Sequence, residues 1–150
     1  MENSLSKGPN FIDLGLPSGT LWADDFLRDD EGNILYLPCV EAVKYGIPSL
    51  EQWTEFQQNS RCNPYQTQGE SRSVTFTAVN GKNLTLEATG FKMNLDGSTD
   101  WANEVVFIID KINSLHETSV VDVEKGKIVI RELFQGYRFP VLLVKSSEKV

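Results

Sequence analysis

Val74-Thr75-Phe76-Thr77-Ala78-Val79-Asn80-Gly81-Lys82-Asn83-Leu84-Thr85-Leu86-Glu87-Ala88 is the stretch that decides the fold class. Val74, Phe76 and Ala78 alternate with threonines, and Leu84, Leu86 and Ala88 alternate on the return, so each arm can bury one face of a pleated strand. Asn80-Gly81 between the arms supplies the positive backbone angles of a type I′ turn. A period of two on both sides of a tight turn predicts an antiparallel hairpin.

Outward from the hairpin, the C-terminal half reads as more strand. Val105-Val106-Phe107-Ile108-Ile109 is a continuous apolar run suited to a central strand buried on both faces. A second hairpin, Val120 to Glu132, turns near Lys125-Gly126. Tyr137 to Val144 is a strand whose Pro140 belongs at an edge, a bulge or its first half.

The N-terminal half holds short strands at Phe11–Leu14, Thr20–Ala23 and Ile34–Leu37, with a turn at Gly15 to Gly19. A short helix from Cys39 to Tyr45 is stopped by Gly46 and Pro48. Ser49 and Gln52 then form a capping box for a helix whose Leu50, Trp53 and Phe56 make one apolar stripe. Asn59 to Gly69 and Gly90 to Asp100 read as loops. Strand–helix alternation and internal repeats are absent, so the class is α+β with one or two N-terminal-half helices packed on a mainly antiparallel twisted sheet. At 150 residues the chain has the length of a single domain, 1–150, with 1–10 and 145–150 as tails.

Fourteen basic and 21 acidic residues leave a net charge of −7, which argues against a nucleic-acid partner, because binding phosphates needs a concentrated basic surface. No run approaches the length of a membrane span. The polar first ten residues lack the pattern of a secretory signal. Cys39 and Cys62 have no spacing that demands a disulfide, and free or packed thiols are the expectation.

Several blocks together resemble one family. Phe11-Ile12-Asp13-Leu14-Gly15-Leu16-Pro17-Ser18-Gly19-Thr20-Leu21-Trp22-Ala23 is similar to its opening signature, and Glu41 to Trp53 is similar to its helix, turn and Glu-Trp helix. The Asn-Gly hairpin leading into Ala88-Thr89-Gly90-Phe91 and the closing Gln135-Gly136-Tyr137-Arg138-Phe139-Pro140-Val141 fit the same pattern. The family is the Fibrobacter succinogenes major paralogous domain, found in gut Bacteroidetes and their phages. The resemblance implies a C-type lectin-like fold, with first and last strands paired and irregular loops forming the ligand face. The family's Tyr-Trp-Ser-Ser stretch is missing, with Asp100-Trp101-Ala102-Asn103-Glu104 where it would fall.

Chemistry-bearing patterns are sparse. Asn94, Asp96, Ser98 and Asp100 alternate, but an EF-hand count from Asn94 puts Thr99 and Val105 where Gly and Glu are needed, so no metal site is assigned. The acidic run Asp24 to Glu31 reads as a solubilising surface. His116, the one histidine, has no nucleophile motif beside it, and no cofactor-binding fingerprint occurs. Asn94, Asp96, Asp100, Trp101 and Asn103 remain as ligand-binding candidates, offering a stacking surface with adaptable hydrogen bonding. Trp101 has a bland alternative as an anchor buried under the loop, which the pattern favours somewhat.

The expectation is therefore a non-catalytic binding or assembly module without cofactor, whose partner is a protein or a cell-surface glycan. Family context favours a phage virion component or a cytoplasmic accessory protein. The rivals are a secreted or surface carbohydrate-binding adhesin and a small enzyme built from Cys62, His116 and the acidic loop. The acids of Asp24–Glu31 and Asn94–Glu104 suggest an acidic binding face.

Overall fold

The computed structural model describes residues 10–68, 71–94, 98–102, 104–112, 117–124 and 127–145. Two short helices accompany antiparallel sheets, an α+β arrangement with strand as the larger part.

The chain opens with β1 (Phe11–Asp13), which pairs antiparallel with β2 (Leu21–Ala23). The intervening turn is fixed by side chains. Asp13 Oδ1 accepts from the Gly15 N–H at 3.0 Å, and the Ser18 N–H and hydroxyl both donate to the Glu55 carboxylate, at 2.8 and 2.7 Å. The last strand, β12 (Val144–Lys145), pairs with the other edge of β2. First and last strands thus share a sheet but flank β2, where direct pairing is the expectation from resemblance; the hairpin turn has already given β1 to β2. Lys145, expected in a tail, belongs to that sheet.

Helix α1 (Cys39–Ala42) runs into a 3-10 turn at Val43–Tyr45 and ends at Gly46, whose φ of +91° suits glycine. Helix α2 (Leu50–Gln58) carries the expected capping box. The Gln52 N–H donates to Ser49 Oγ at 3.1 Å, and the Ser49 N–H donates to Gln52 Oε1 at 2.8 Å. Its buried residues, Trp53 and Phe56, meet Trp22, Phe76 and Phe107 at ring separations of 4.7–6.3 Å.

The deciding hairpin is β5 (Ser71–Ala78) with β6 (Asn83–Glu87). Its turn differs from the type I′ expectation. Gly81 alone has positive φ, at +89°, and the loop holds three residues between the Ala78–Lys82 contacts, a type I turn closed by a glycine bulge. Asn80 is thereby free to point sideways, donating from Nδ2 to the Asp13 carbonyl at 2.9 Å and joining the hairpin to the opening turn. The segment expected as polar loop supplies β3 (Ser60–Cys62) and β4 (Gln66–Gln68), both on the far edge of β5. β5 needs a partner along its other edge, and short polar stretches suffice.

A short hairpin, β7 (Phe91–Lys92) with β8 (Thr99–Asp100), occupies part of the expected 90–100 loop. Beyond it stands a three-stranded sheet of β9 (Val105–Ile112), β10 (Glu117–Glu124) and β11 (Lys127–Phe134), with β10 central. Val105 to Ile109 are fully buried. Val105, Phe107, Ile109, Val121 and Val123 join the aromatic cluster of α2. Val106, Ile108 and Val120 face a second cluster with Cys39, Phe91 and Phe139. The continuous apolar run is the consequence of this two-sided burial.

Neither Ile34–Leu37 nor Tyr137–Val144 forms the full strand expected. Isolated bridges stand at Arg28–Ile34, Leu37–Phe139 and Lys92–Arg138. Pro140 donates no hydrogen bond, and the carbonyls of Pro140, Val141 and Leu143 accept from Ile108, Leu27 and Ala23, three different neighbours. Among the described residues no helix is long and apolar enough to cross a membrane.

Candidate functional site

Trp101 follows β8 with a φ of +56°, the only positive φ among described residues other than glycine. A bulky side chain seldom adopts this conformation, so its surroundings hold it there. The Glu104 N–H donates to the Trp101 carbonyl at 2.9 Å, closing a turn, and the Gly90 N–H donates to the Glu104 carbonyl at 3.1 Å. Gly90 itself has a φ of +58°, and the chain after β8 passes directly over its missing side chain.

The Trp101 ring meets Phe91 edge-on at 5.0 Å and has the Arg131 guanidinium 5.6 Å from its centroid. It remains 38% exposed. Phe91 continues to Tyr137 at 5.7 Å, and Tyr137 to Phe134 at 5.4 Å, so four rings form a row whose two ends reach solvent. Phe134 is 50% exposed and folds back across Gly136, where a β-carbon would fall 2.4 Å from its ring. Trp101 therefore combines the two roles weighed for it. One part is anchored on Phe91 and another is available for stacking.

Behind the row lies a charge cluster. Asp122 sits on β10 with its side chain 1% exposed, and its Oδ2 accepts from Arg131 Nε at 2.9 Å. Its Oδ1 is buried without a donor. Burial first, and then the adjacent Glu104 carboxyl, push the Asp122 acid up to about 7 against the opposing pull of Arg131. The Tyr65 hydroxyl stands at the end of the β9–β10 ladder, accepting from the Val105 N–H at 2.7 Å and donating to the Val123 carbonyl. Burial pushes its pKa up to about 12, so it stays neutral. The Arg72 guanidinium lies 4.4 Å from the Tyr65 ring centroid.

The chain matches no family model, no curated protein and no solved structure. Its site is therefore read from its own geometry.

Of the five sequence candidates, Asp100 and Trp101 are brought to the base of the β7–β8 hairpin, where Asp100 pairs with Phe91. Asn94 is exposed on the tip side, beyond the Lys92–Thr99 pair, away from Trp101. Asp96 and Asn103 lie outside the described residues, as does His116. Cys39 and Cys62 are free thiols packed in different clusters, and burial raises the Cys62 thiol. The acidic run is spent on local structure. Asp25 pairs with Arg28 at 2.7 Å, and Asp29 Oδ1 accepts from the Glu31 and Asn33 N–H groups. Among the described residues no three His, Cys, Asp or Glu side chains converge as metal ligands.

Sequence reasoning passed over Asp122, Arg131, Tyr65 and the row through Phe91 and Phe134. One signal was present, since Asp122 interrupts Val120-Val121-Asp122-Val123, an acid where both faces of the strand are apolar. The described face is also less acidic than the loop composition suggests. Arg131 covers Trp101, and Lys92 and Arg138 stand opposite each other across their bridge.

Proposed function

We propose that this chain is a non-catalytic binding or assembly module with a C-type lectin-like fold, and that the Trp101–Phe134 row is its contact surface. One observation carries the reading: Trp101 is held half-exposed in a strained backbone conformation, clamped by Gly90 and Glu104. Strain maintained at an exposed aromatic is a cost that core packing alone does not require. Aromatic side chains with exposed faces and few rotatable bonds are effective contact residues for sugars and for protein surfaces alike.

The fold assignment rests on the family resemblance of the opening and closing blocks. One feature agrees with it: β1 and β12 share one sheet, though on opposite edges of β2. The same resemblance supports a setting in a phage virion, with a surface adhesin as the alternative.

The test is binding of the purified chain to a glycan array and to candidate structural proteins of the virion, beside Trp101→Ala and Phe134→Ala. The expected result is loss of binding in both variants and none in Val79→Ala, which alters a similarly exposed side chain on the β5–β6 turn. Binding indifferent to Trp101 and Phe134, or turnover of a bound ligand, overturns the proposal.

A further inference from the structure

Lys92 and Arg138 form the bridge that ties β7 to the closing segment. Each N–H donates to the other's carbonyl, at 2.8 and 2.7 Å, so the two residues stand directly opposite each other. Phe91 and Phe139, one step along each strand, are buried with their rings 5.7 Å apart, which puts Lys92 and Arg138 on the outer face. Thr99 of β8 is the partner of Lys92 on its other side, completing a row of Thr99, Lys92 and Arg138 across three strands. All three are half-buried.

Like charges directly opposite in an antiparallel pair repel. Arg28 and Arg131 are matched to acids, the first to Asp25 and Glu87, the second to Asp122. Among the described residues neither Lys92 nor Arg138 has a carboxylate partner, and the Arg138 side chain has no hydrogen-bond acceptor. The Lys92 ammonium is steadied 4.8 Å from the Tyr36 ring centroid, and Tyr36 is pinned by its hydroxyl, which donates to the Thr89 carbonyl at 2.9 Å. Two such cations side by side, in a chain with 21 acids and a net charge of −7, are the makings of an anion site.

We propose that Lys92, Arg138 and Thr99 bind the carboxylate of an acidic sugar, a uronic acid, on the other side of β7 from the Phe91 ring. A guanidinium grips a carboxylate through two parallel N–H bonds, and an ammonium beside it adds charge and a further donor. The Thr99 hydroxyl offers a hydrogen bond to a sugar hydroxyl next to that carboxylate. A nucleic acid, a membrane surface or a polyacidic protein segment spreads its charge beyond two cations and meets the acids of the rest of the chain, which repel it. A single carboxylate on a neutral ring does not. None of the three residues belongs to the Trp101–Phe134 row, so the site stands apart from the contact surface proposed above.

Titration of the isotope-labelled chain with D-glucuronate, followed by NMR, tests this. D-Glucose serves as the neutral ring and inorganic phosphate as the bare anion. Glucuronate should give saturable shifts at the Lys92, Thr99 and Arg138 amides, glucose none, and phosphate a weaker response. Lys92→Gln and Arg138→Gln should each weaken glucuronate binding by about tenfold or more, and either variant suffices should the other fail to fold. Val79→Ala, on the distant β5–β6 turn, should leave it unchanged. Arg138→Gln should also unfold at the wild-type temperature or slightly above it, because its repulsion with Lys92 is relieved. A marked fall there means that the fold itself holds the guanidinium, and it overturns the site. Equal response to glucuronate and glucose, or to glucuronate and phosphate, overturns it too, as does binding that survives in both variants or no binding at all. Shifts at Trp101 and Phe134 in place of the three amides assign the sugar to the aromatic row and discard the second site. Tighter binding of an oligoglutamate peptide than of an oligoglucuronate transfers the face to a protein partner and overturns the sugar.

Discussion

A β-carbon on Gly90 would stand 2.0 Å from the carbonyl oxygen of Asp100. No rotation of a side chain relieves such a contact, because the obstacle is backbone. The positive φ of Gly90 adds a second penalty for any other residue. Gly90→Ala should therefore displace the β8 end and the Trp101 turn, destabilising the fold by about 1–3 kcal/mol. Urea unfolding measures the loss, and increased acrylamide quenching of Trp101 reports the displacement. A variant with wild-type stability and wild-type quenching would show that the chain does not pass over Gly90 as described.

The three tryptophans should differ sharply in what they contribute to stability. Trp53 is 1% exposed and packs against Trp22, Phe56, Phe76 and Phe107, bringing α2, β2, β5 and β9 together. Trp53→Ala opens a cavity among rings that cannot all collapse into it, at a cost of about 3–5 kcal/mol. Trp101→Ala loses the Phe91 edge contact and the Arg131 contact over an exposed ring and leaves the backbone strain in place, because alanine keeps the β-carbon, so its cost should stay near ~1 kcal/mol. Chemical denaturation of both variants decides the point. Equal losses would mean that Trp101 is a core anchor with no surface role.

The parts of this fold that were legible in the sequence are those where one local rule acts alone. The capping box at Ser49, the Leu50–Trp53–Phe56 stripe and the β5–β6 alternation each follow from spacing within about ten residues. β9 was legible too, because burial on both faces leaves no polar position. Elements held by remote partners were not. Ser60–Cys62 and Gln66–Gln68 carry no strand pattern and are strands only because β5 has an open edge. The closing segment has a strand's composition, yet its carbonyls go to three different neighbours. The site was half legible. Trp101 stood out by composition, but its ring contacts Phe91 and Arg131, and the Asp122 that pairs with Arg131, come from three separate strands, and no spacing rule joins them.

Helix α2 starts on a hydrogen-bonded box that can be dismantled one bond at a time. Ser49→Ala removes the acceptor of the Gln52 N–H and should cost about 1 kcal/mol. Gln52→Ala leaves that acceptor and removes only the return bond to the Ser49 N–H, so it should cost less. The double variant should cost less than the two single losses combined, because the two bonds share one geometry. Thermal or urea unfolding of the three variants tests the ordering.

Burial of Asp122 gives the pH dependence its sign, against the pull of Arg131. Asp122 holds its proton at about 7 in the folded chain against an ordinary value of 3.8, so the folded state binds the proton more tightly than the unfolded one. Stability from that proton is fully present below about pH 4 and is lost as pH rises toward 7, by at most about 1.4 kcal/mol per pH unit. Above that range Asp122 is ionised and depends on Arg131, whose Nε lies 2.9 Å away. Arg131→Met keeps the stem's packing and removes the charge. At pH 8 it should cost about 2–3 kcal/mol, at the low end for a broken buried pair because Arg131 is partly solvated. At pH 5 the acid is already neutral, and the same substitution should cost about 1 kcal/mol or less. Urea unfolding of both proteins at the two pH values measures the difference. If the loss is the same at pH 5 and pH 8, Asp122 does not change its charge between them and does not titrate near 7.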